Sequence, residues 1–267
     1  MVRRRPSPPS PSLCSPISPP SSAWALETAA LHPTASIIGT DLSPIQPTYV
    51  PPNCTWLLDD ANHPWPSDFR ARFDLVHTRS LGLGVEDWDR FVGQAHAALK
   101  PGTGWLELQE FCLPLGCDDG SSDGTAIQQW GLRMTEAAAR IGVDVGASAK
   151  HARRMRDRGF VDVREVRLMG PIGPWAKGRV EKELGVLGLN DLYGHLEGLS
   201  SKLFAVLGWS EDRTARFCAS AKQDILNPGV SFSFFFVSFT SFSLSFLFWV
   251  GRLTWAGGVV RFIRTCP

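Results

Sequence analysis

The sequence predicts an α/β fold: a parallel sheet with helices on both faces. Three observations predict it. Short apolar runs at 35–40, 54–58, 73–77 and 105–109 alternate with helix-length amphipathic segments. The first three runs lead into or carry polar and acidic residues at their ends, where an open parallel sheet places its ligands. The chain has 267 residues, 43% of them hydrophobic, which is enough for one sizeable core.

The elements follow in order. Residues 24–31 read as a helix and 35–40 as a strand ending at Asp41. Residues 54–58 form the next strand, ending at Asp59-Asp60, and 73–77 the third. Over 86–99, Trp88, Phe91, Val92, Ala95, Ala98 and Leu99 fall on one helical stripe. Lys100-Pro101-Gly102 ends that helix, because a charge near the C-terminus is followed by two breakers. A strand at 105–109, helices at about 126–141 and 148–158, a strand at 161–168 and two or three helices over 178–224 complete the pattern. Apolar strands separated by helices point to a parallel sheet covered on both faces.

The two ends read differently. Residues 1–22 are mostly Pro, Ser and Arg, too poor in apolar surface to offset the entropy of ordering, and are expected to be disordered. The 21 residues 230–250 hold eight Phe, six Ser and no charge, and Arg252 follows. That length crosses a hydrocarbon core of about 30 Å, so a membrane span is one reading. The other is read-through of non-coding sequence, since Val230-Ser231 can be encoded by a splice-donor sequence. The expected organisation is a leader at 1–22, a partial α/β domain at 23–227 and an apolar tail at 228–267.

Lys plus Arg number 27 and Asp plus Glu 26, so no global charge pulls the chain toward nucleic acid or an anionic membrane. The basic cluster from His151 to Arg156 reads as the solvated face of a helix. Six scattered cysteines, none in a Cys-x-x-Cys pair, argue against structural zinc and suit a reducing compartment. Pro and Ser stand where a signal peptide needs an apolar stretch. The expected location is cytoplasmic or nuclear, with a single-pass membrane protein as the alternative.

Three strand ends carry candidate chemistry. Asp41 can accept hydrogen bonds from both ribose hydroxyls of a nucleotide, or it can cap the turn Asp41-Leu42-Ser43-Pro44. Asp59-Asp60 can accept from an adenine amino group, or they can cap a helix or loop. His77-Thr78-Arg79 offers a base near neutral pH and an anion-binding cation, although a lone His is more often structural. Glu107 and Glu110, three apart on a strand, face opposite sides and form no obvious carboxylate pair.

A longer series makes the reading specific. Gly39-Thr40-Asp41-Leu42-Ser43-Pro44-Ile45-Gln46-Pro47 is followed by Val50-Pro51-Pro52-Asn53, Asp59-Asp60 and Pro64-Trp65. Then come Phe73-Asp74-Leu75-Val76-His77-Thr78-Arg79, Leu99-Lys100-Pro101-Gly102 and Gly104-Trp105-Leu106-Glu107-Leu108-Gln109-Glu110. Gly159-Phe160-Val161-Asp162-Val163, Pro171-Ile172-Gly173-Pro174-Trp175 and Leu207-Gly208-Trp209-Ser210 end it. Over about 24–227 this order resembles the class I methyltransferases related to the velvet-associated regulator of secondary metabolism.

The resemblance implies a Rossmann-like methyltransferase sheet, S-adenosylmethionine as cofactor and methyl transfer to an unidentified acceptor, a small molecule ahead of a protein. It matches Asp41 to the ribose-binding acid, Leu42 to the apolar wall of the adenine pocket and Asp60 to the acid near the adenine amino group. Asp59 and His77 join them as cofactor-binding candidates, and the catalytic residue is unassigned. The family also places a first strand and a glycine-rich loop before the helix at Trp24, and it closes with a further strand. No glycine precedes Gly39. The first strand with its loop, and the last strand, are therefore expected to be missing and the activity impaired. The alternative is a non-enzymatic, membrane-anchored protein on a degenerate version of the same fold.

Overall fold

The structure, a computed structural model, describes residues 12–16, 21–44, 48–241, 253–255 and 258–260. Its elements in chain order are β1 (Ser12–Pro16), α1 (Ser21–Leu31), β2 (Ser36–Asp41), β3 (Cys54–Leu58) and β4 (Leu75–Arg79). Then follow α2 (Trp88–Ala98), β5 (Trp105–Gly116), α3 (Ala126–Arg140), α4 (His151–Asp157) and β6 (Val163–Ile172). The chain continues through α5 (Arg179–Val206), α6 (Glu211–Leu226), β7 (Phe232–Ser241), β8 (Leu253–Trp255) and β9 (Gly258–Val260).

Seven strands form one sheet in the order β3-β2-β1-β4-β5-β7-β6, and β8 pairs with β9 in a separate ribbon. The first five strands are mutually parallel, whereas β7 runs antiparallel to both β5 and β6. Helices cover both faces. On one face Ile37, Cys54 and Leu75 pack against Trp24, Ala25 and Ala29 of α1. Further along that face Ile172 and Phe232 pack with Trp130 of α3, Leu196 and Phe204 of α5 and Ala221 of α6. On the other, Val76, Leu106, Leu108, Val237 and Phe239 meet Phe91 and Val92 of α2 and Met155 of α4. All six residues of the stripe expected over 86–99 are buried there. The N-cap of α2 is Asp87, whose side chain accepts from Arg90 N at 2.9 Å and satisfies an otherwise unpaired first-turn amide.

The fold class is the one expected, but both ends of the chain correct the sequence reading. Ser12–Pro16, inside the stretch expected to be disordered, is the central strand β1, in register with Ser36–Thr40 of β2. The first strand is therefore present, and α1 begins at Ser21 rather than Trp24. The closing strand is present too. Phe232–Ser241 pairs along its whole length with β6, from Phe232 opposite Ile172 to Ser241 opposite Val163. A strand with helices on both faces is apolar at every second position on each side, so it shows no alternation and little charge. That is why β7 carries the composition of a membrane span. The domain runs past residue 227 to at least Ser241, while 242–250 lie outside the described residues. Among the described residues no helix is long and apolar enough to cross a membrane.

Phe239 of β7 is fully buried, with its ring 5.3 Å from that of His151. Phe239→Ala should lower unfolding free energy by about 3–5 kcal/mol, as for other large core aromatics. Urea denaturation checks this; an unchanged midpoint would place Phe239 outside the core.

Candidate functional site

The sheet reverses direction beside its central strand. From β1 the chain builds β2 and β3 on one side, then returns to lay β4 and β5 on the other. In open α/β sheets the crevice beyond the carboxyl ends of the strands, at such a reversal, is where ligands sit. Four parallel strands deliver Asp41, Asp59, Arg79 and Gln109 toward that edge.

Asp41 ends β2 opposite Leu58 and is only 6% exposed. Its Oδ1 accepts from Ser43 N at 2.9 Å, which is the Asx turn that the local sequence allows. Its Oδ2 takes no hydrogen bond from the described residues. Leu42, next along, is 70% exposed. The backbone of Asp59 donates to Asp41 O at 3.0 Å, so the ends of β2 and β3 are tied together. Asp59 Oδ1 accepts from Asp60 N, and Asp60 Oδ1 from Asn62 N, both at 2.9 Å. All three acids thus shape turns as well as standing at the crevice. Gly39 has a packing reason: an added Cβ would lie 2.2 Å from the Trp56 ring.

His77 stands elsewhere than expected. It is fully buried one residue pair behind the mouth, its ring stacked on Trp24 of α1 at 3.9 Å between centroids. In-register pairing sets His77 beside Glu107 and Arg79 beside Gln109. The side chains form one chain: His77 Nδ1 to Glu107 Oε2 at 2.8 Å, Gln109 Nε2 to Glu107 Oε1 at 2.9 Å, and Arg79 Nε to Gln109 Oε1 at 3.0 Å. Burial lowers the His77 pKa and outweighs the opposing pull of Glu107. Burial alone would raise that of Glu107, but the His77 and Gln109 hydrogen bonds and the Arg79 charge hold it below the usual carboxylate range. The pair is therefore a neutral imidazole donating from Nδ1 to an ionised carboxylate. His77 Nε2 has no partner among the described residues.

Sequence reasoning named neither Glu107 nor Gln109 as a site residue. The signal was available as two alternations, His77/Arg79 and Glu107/Gln109, but it acquires meaning only once β4 and β5 are known to be neighbours in that register. Glu110 was also missed. It is 2% exposed, and its Oε1 and Oε2 accept from Leu81 N at 3.1 Å and Gly82 N at 2.9 Å. These amides belong to the loop leaving β4, where Ser80 adopts φ 56°. Burial pushes the Glu110 pKa up to about 8, against the two backbone donors. Among the described residues no group of His, Cys, Asp and Glu could hold a metal ion.

No family model matches the chain. It is 34% identical over 213 residues to the probable methyltransferase tdiE of Emericella nidulans, covering 78% of this chain and 65% of that one. It is 30% identical over 211 residues to the protein-methionine methyltransferase laeA of the same organism, covering 78% of this chain and 56% of that one. The chain thus spans less than two thirds of these curated relatives. Among solved structures, a putative methyltransferase of Bacillus halodurans C-125 superposes with a TM-score of 0.51 at 12% identity. That superposition covers 87% of this chain and 92% of that one, and shows the fold alone.

Glu110 makes stability depend on pH. Its folded pKa, about 8, lies above the usual carboxylate value of about 4.5. The folded state therefore holds a proton that the unfolded state has lost between those values. The stabilisation is complete below about pH 4.5 and is lost as pH rises through about 8, at no more than roughly 1.4 kcal/mol per pH unit. Glu110→Gln should remove this component, so melting temperatures of variant and parent should diverge in the variant's favour from pH 5 to 8. Parallel curves would show that Glu110 is ionised throughout.

Proposed function

The chain belongs to the class I S-adenosylmethionine-dependent methyltransferases related to the secondary-metabolism regulators, and we propose that its switch-point crevice holds that cofactor by its adenosine end. The observation that carries the reading is Asp41: a buried carboxylate at the end of β2 with Oδ2 left unbonded by the described residues. A ribose hydroxyl is the group such an oxygen accepts from. Leu42, exposed beside it, supplies an apolar surface for the adenine ring. Asp59 and Asp60, on the adjoining strand end, supply acceptors for its amino group. His77 acts from behind, as part of the polar chain that fixes Arg79 at the mouth.

The methionine end is a different matter. Bound cofactor supplies an electrophilic methyl on a sulfonium, and transfer depends on alignment of that methyl with the acceptor. Glycines between the first strand and first helix let backbone amides approach closely. Here β1 and α1 are joined by Ile17-Ser18-Pro19-Pro20, with no glycine. The residues present fit the nucleoside and not the amino-acid end, so methyl transfer by this chain is proposed to be impaired. The acceptor is proposed to be a small molecule ahead of a protein; the name of the laeA relative supports a protein thioether as the second choice. A cytoplasmic or nuclear location belongs to the same proposal.

Calorimetric titration with S-adenosylhomocysteine tests the reading. The chain should bind it, and Asp41→Asn should weaken binding by about tenfold or more. Charge-assisted bonds from two hydroxyls are worth about 1.5–3 kcal/mol each, and an amide keeps only part of that. A variant with lower melting temperature but unchanged affinity makes Asp41 a turn residue only. Incubation with methyl-labelled S-adenosylmethionine and candidate acceptors should give no transfer; measurable turnover overturns the impairment.

A further inference from the structure

We propose that Glu110 is the positioning residue for the wall of the nucleoside crevice, acting through the backbone amides of Leu81 and Gly82. The inference rests on the nucleoside-binding reading above.

The wall in question is the connection from β4 to α2. It leaves the sheet at the switch point and is gripped from two directions. From β5, Ser80 N donates to Gln109 O at 2.8 Å, and the next two amides converge on the Glu110 carboxylate. From the turn after β3, Asn62 Nδ2 donates to Gly84 O at 2.8 Å, and Asn62 Oδ1 accepts from Glu86 N at 2.9 Å. Asn62 N itself is held by Asp60. A continuous path of hydrogen bonds thus runs from Glu110, through the loop, to the acids proposed to face the adenine.

The path has the marks of a conformation imposed rather than relaxed into. Ser80 takes a positive φ that non-glycine residues avoid. Gly82 lies so close to the carboxylate that an added Cβ would sit 3.3 Å from Oε2. The anchor itself is unfavourable for folding, because among the described residues Glu110 has no cationic partner. A carboxyl group answered only by backbone amides must either hold its proton or bury a charge, and near neutral pH either costs more than an uncharged residue of the same shape. Leu81 and Gly82 need an acceptor, yet a glutamine oxygen could serve one of them. The two oxygens of the carboxyl group satisfy both at once and fix two successive peptide planes. What it secures is therefore the shape of the loop, at the expense of stability.

Hydrogen exchange and ligand titration by NMR on the full chain test this together. In Glu110→Gln the Leu81 and Gly82 amides should exchange about tenfold faster or more in the ligand-free chain, while Leu108 in the sheet stays protected. Affinity for S-adenosylhomocysteine should fall about tenfold while the melting temperature holds or rises, a combination that a purely structural residue does not give. Gly82→Ala, which disturbs the same contact from the loop side, should move exchange and affinity in the same direction. Unchanged exchange at both amides overturns the clamp. Faster exchange with unchanged affinity overturns its role in binding, as does a Glu110→Gln chain that fails to fold. If the parent chain shows no binding at all, the nucleoside reading itself fails, and this inference with it.

Discussion

The in-register parallel pairing of β4 with β5 is the constraint on which the rest of the switch point depends. Because side chains alternate along a strand, that one register sorts the polar residues of β5 to two destinations. Glu107 and Gln109 turn toward His77 and Arg79 under α1. Glu110 turns to the other side, toward the loop that β4 becomes. A slip of one residue would exchange the two sets and would bury Leu108 among the partners of a charged chain. The antiparallel strand β7 holds β5 from its other edge, with Thr240 opposite Glu107 and Val237 opposite Glu110. Hence the aromatic strand near the end of the chain helps to fix an acid in a strand far from it in sequence.

Much of this scaffold was legible in the sequence, and the parts that were not share a physical reason. The helix of 86–99 could be read because its face toward solvent is polar, which leaves a stripe. The strand ends Asp41 and Asp59-Asp60 could be read because turn residues follow apolar runs. β7 could not be read as a strand, since both its faces are covered and it lies within an uncharged run of 21 residues, the length of a span. β1 failed for the opposite reason: Ser-Leu-Cys-Ser-Pro has little strand propensity, and only its place between β2 and β4 makes it one. Propensity is local, whereas a central strand is made by its two neighbours.

The same division explains what was legible at the site. Asp41 is recognisable because its position relative to its own strand carries the signal. The partnership of His77 with Glu107 spans 30 residues of sequence, and the anchoring of Leu81 by Glu110 spans 29. Neither pairing has a local trace. The expectation that Glu107 and Glu110 form no carboxylate pair was sound, since they point to opposite faces, yet both are buried. Each then finds a different solution to the same desolvation penalty. Glu107 is answered by a cationic neighbour and two side-chain donors, and stays ionised. Glu110 is answered by backbone alone, and its pKa rises.

That contrast bears on what this crevice is built to receive. Its acids and its half-buried Arg79 stand at the ends of β2, β3 and β4, so the surface proposed for a nucleoside is built without the segment between β1 and α1. The proposed site for the amino-acid end of the cofactor would draw on that segment, because the groups suited to it are backbone N–H donors at the start of a helix. Pro19 and Pro20 stand immediately before α1, and proline has no N–H to give. Two of the four linking residues therefore lack a donor, while Ile17 and Ser18 retain theirs. Neither proline can supply such a donor in any conformation, while the acids proposed to face the nucleoside do not draw on either of them. On the proposed reading, cofactor recognition and methyl transfer rest on different strand ends, and a loss at one leaves the other in place.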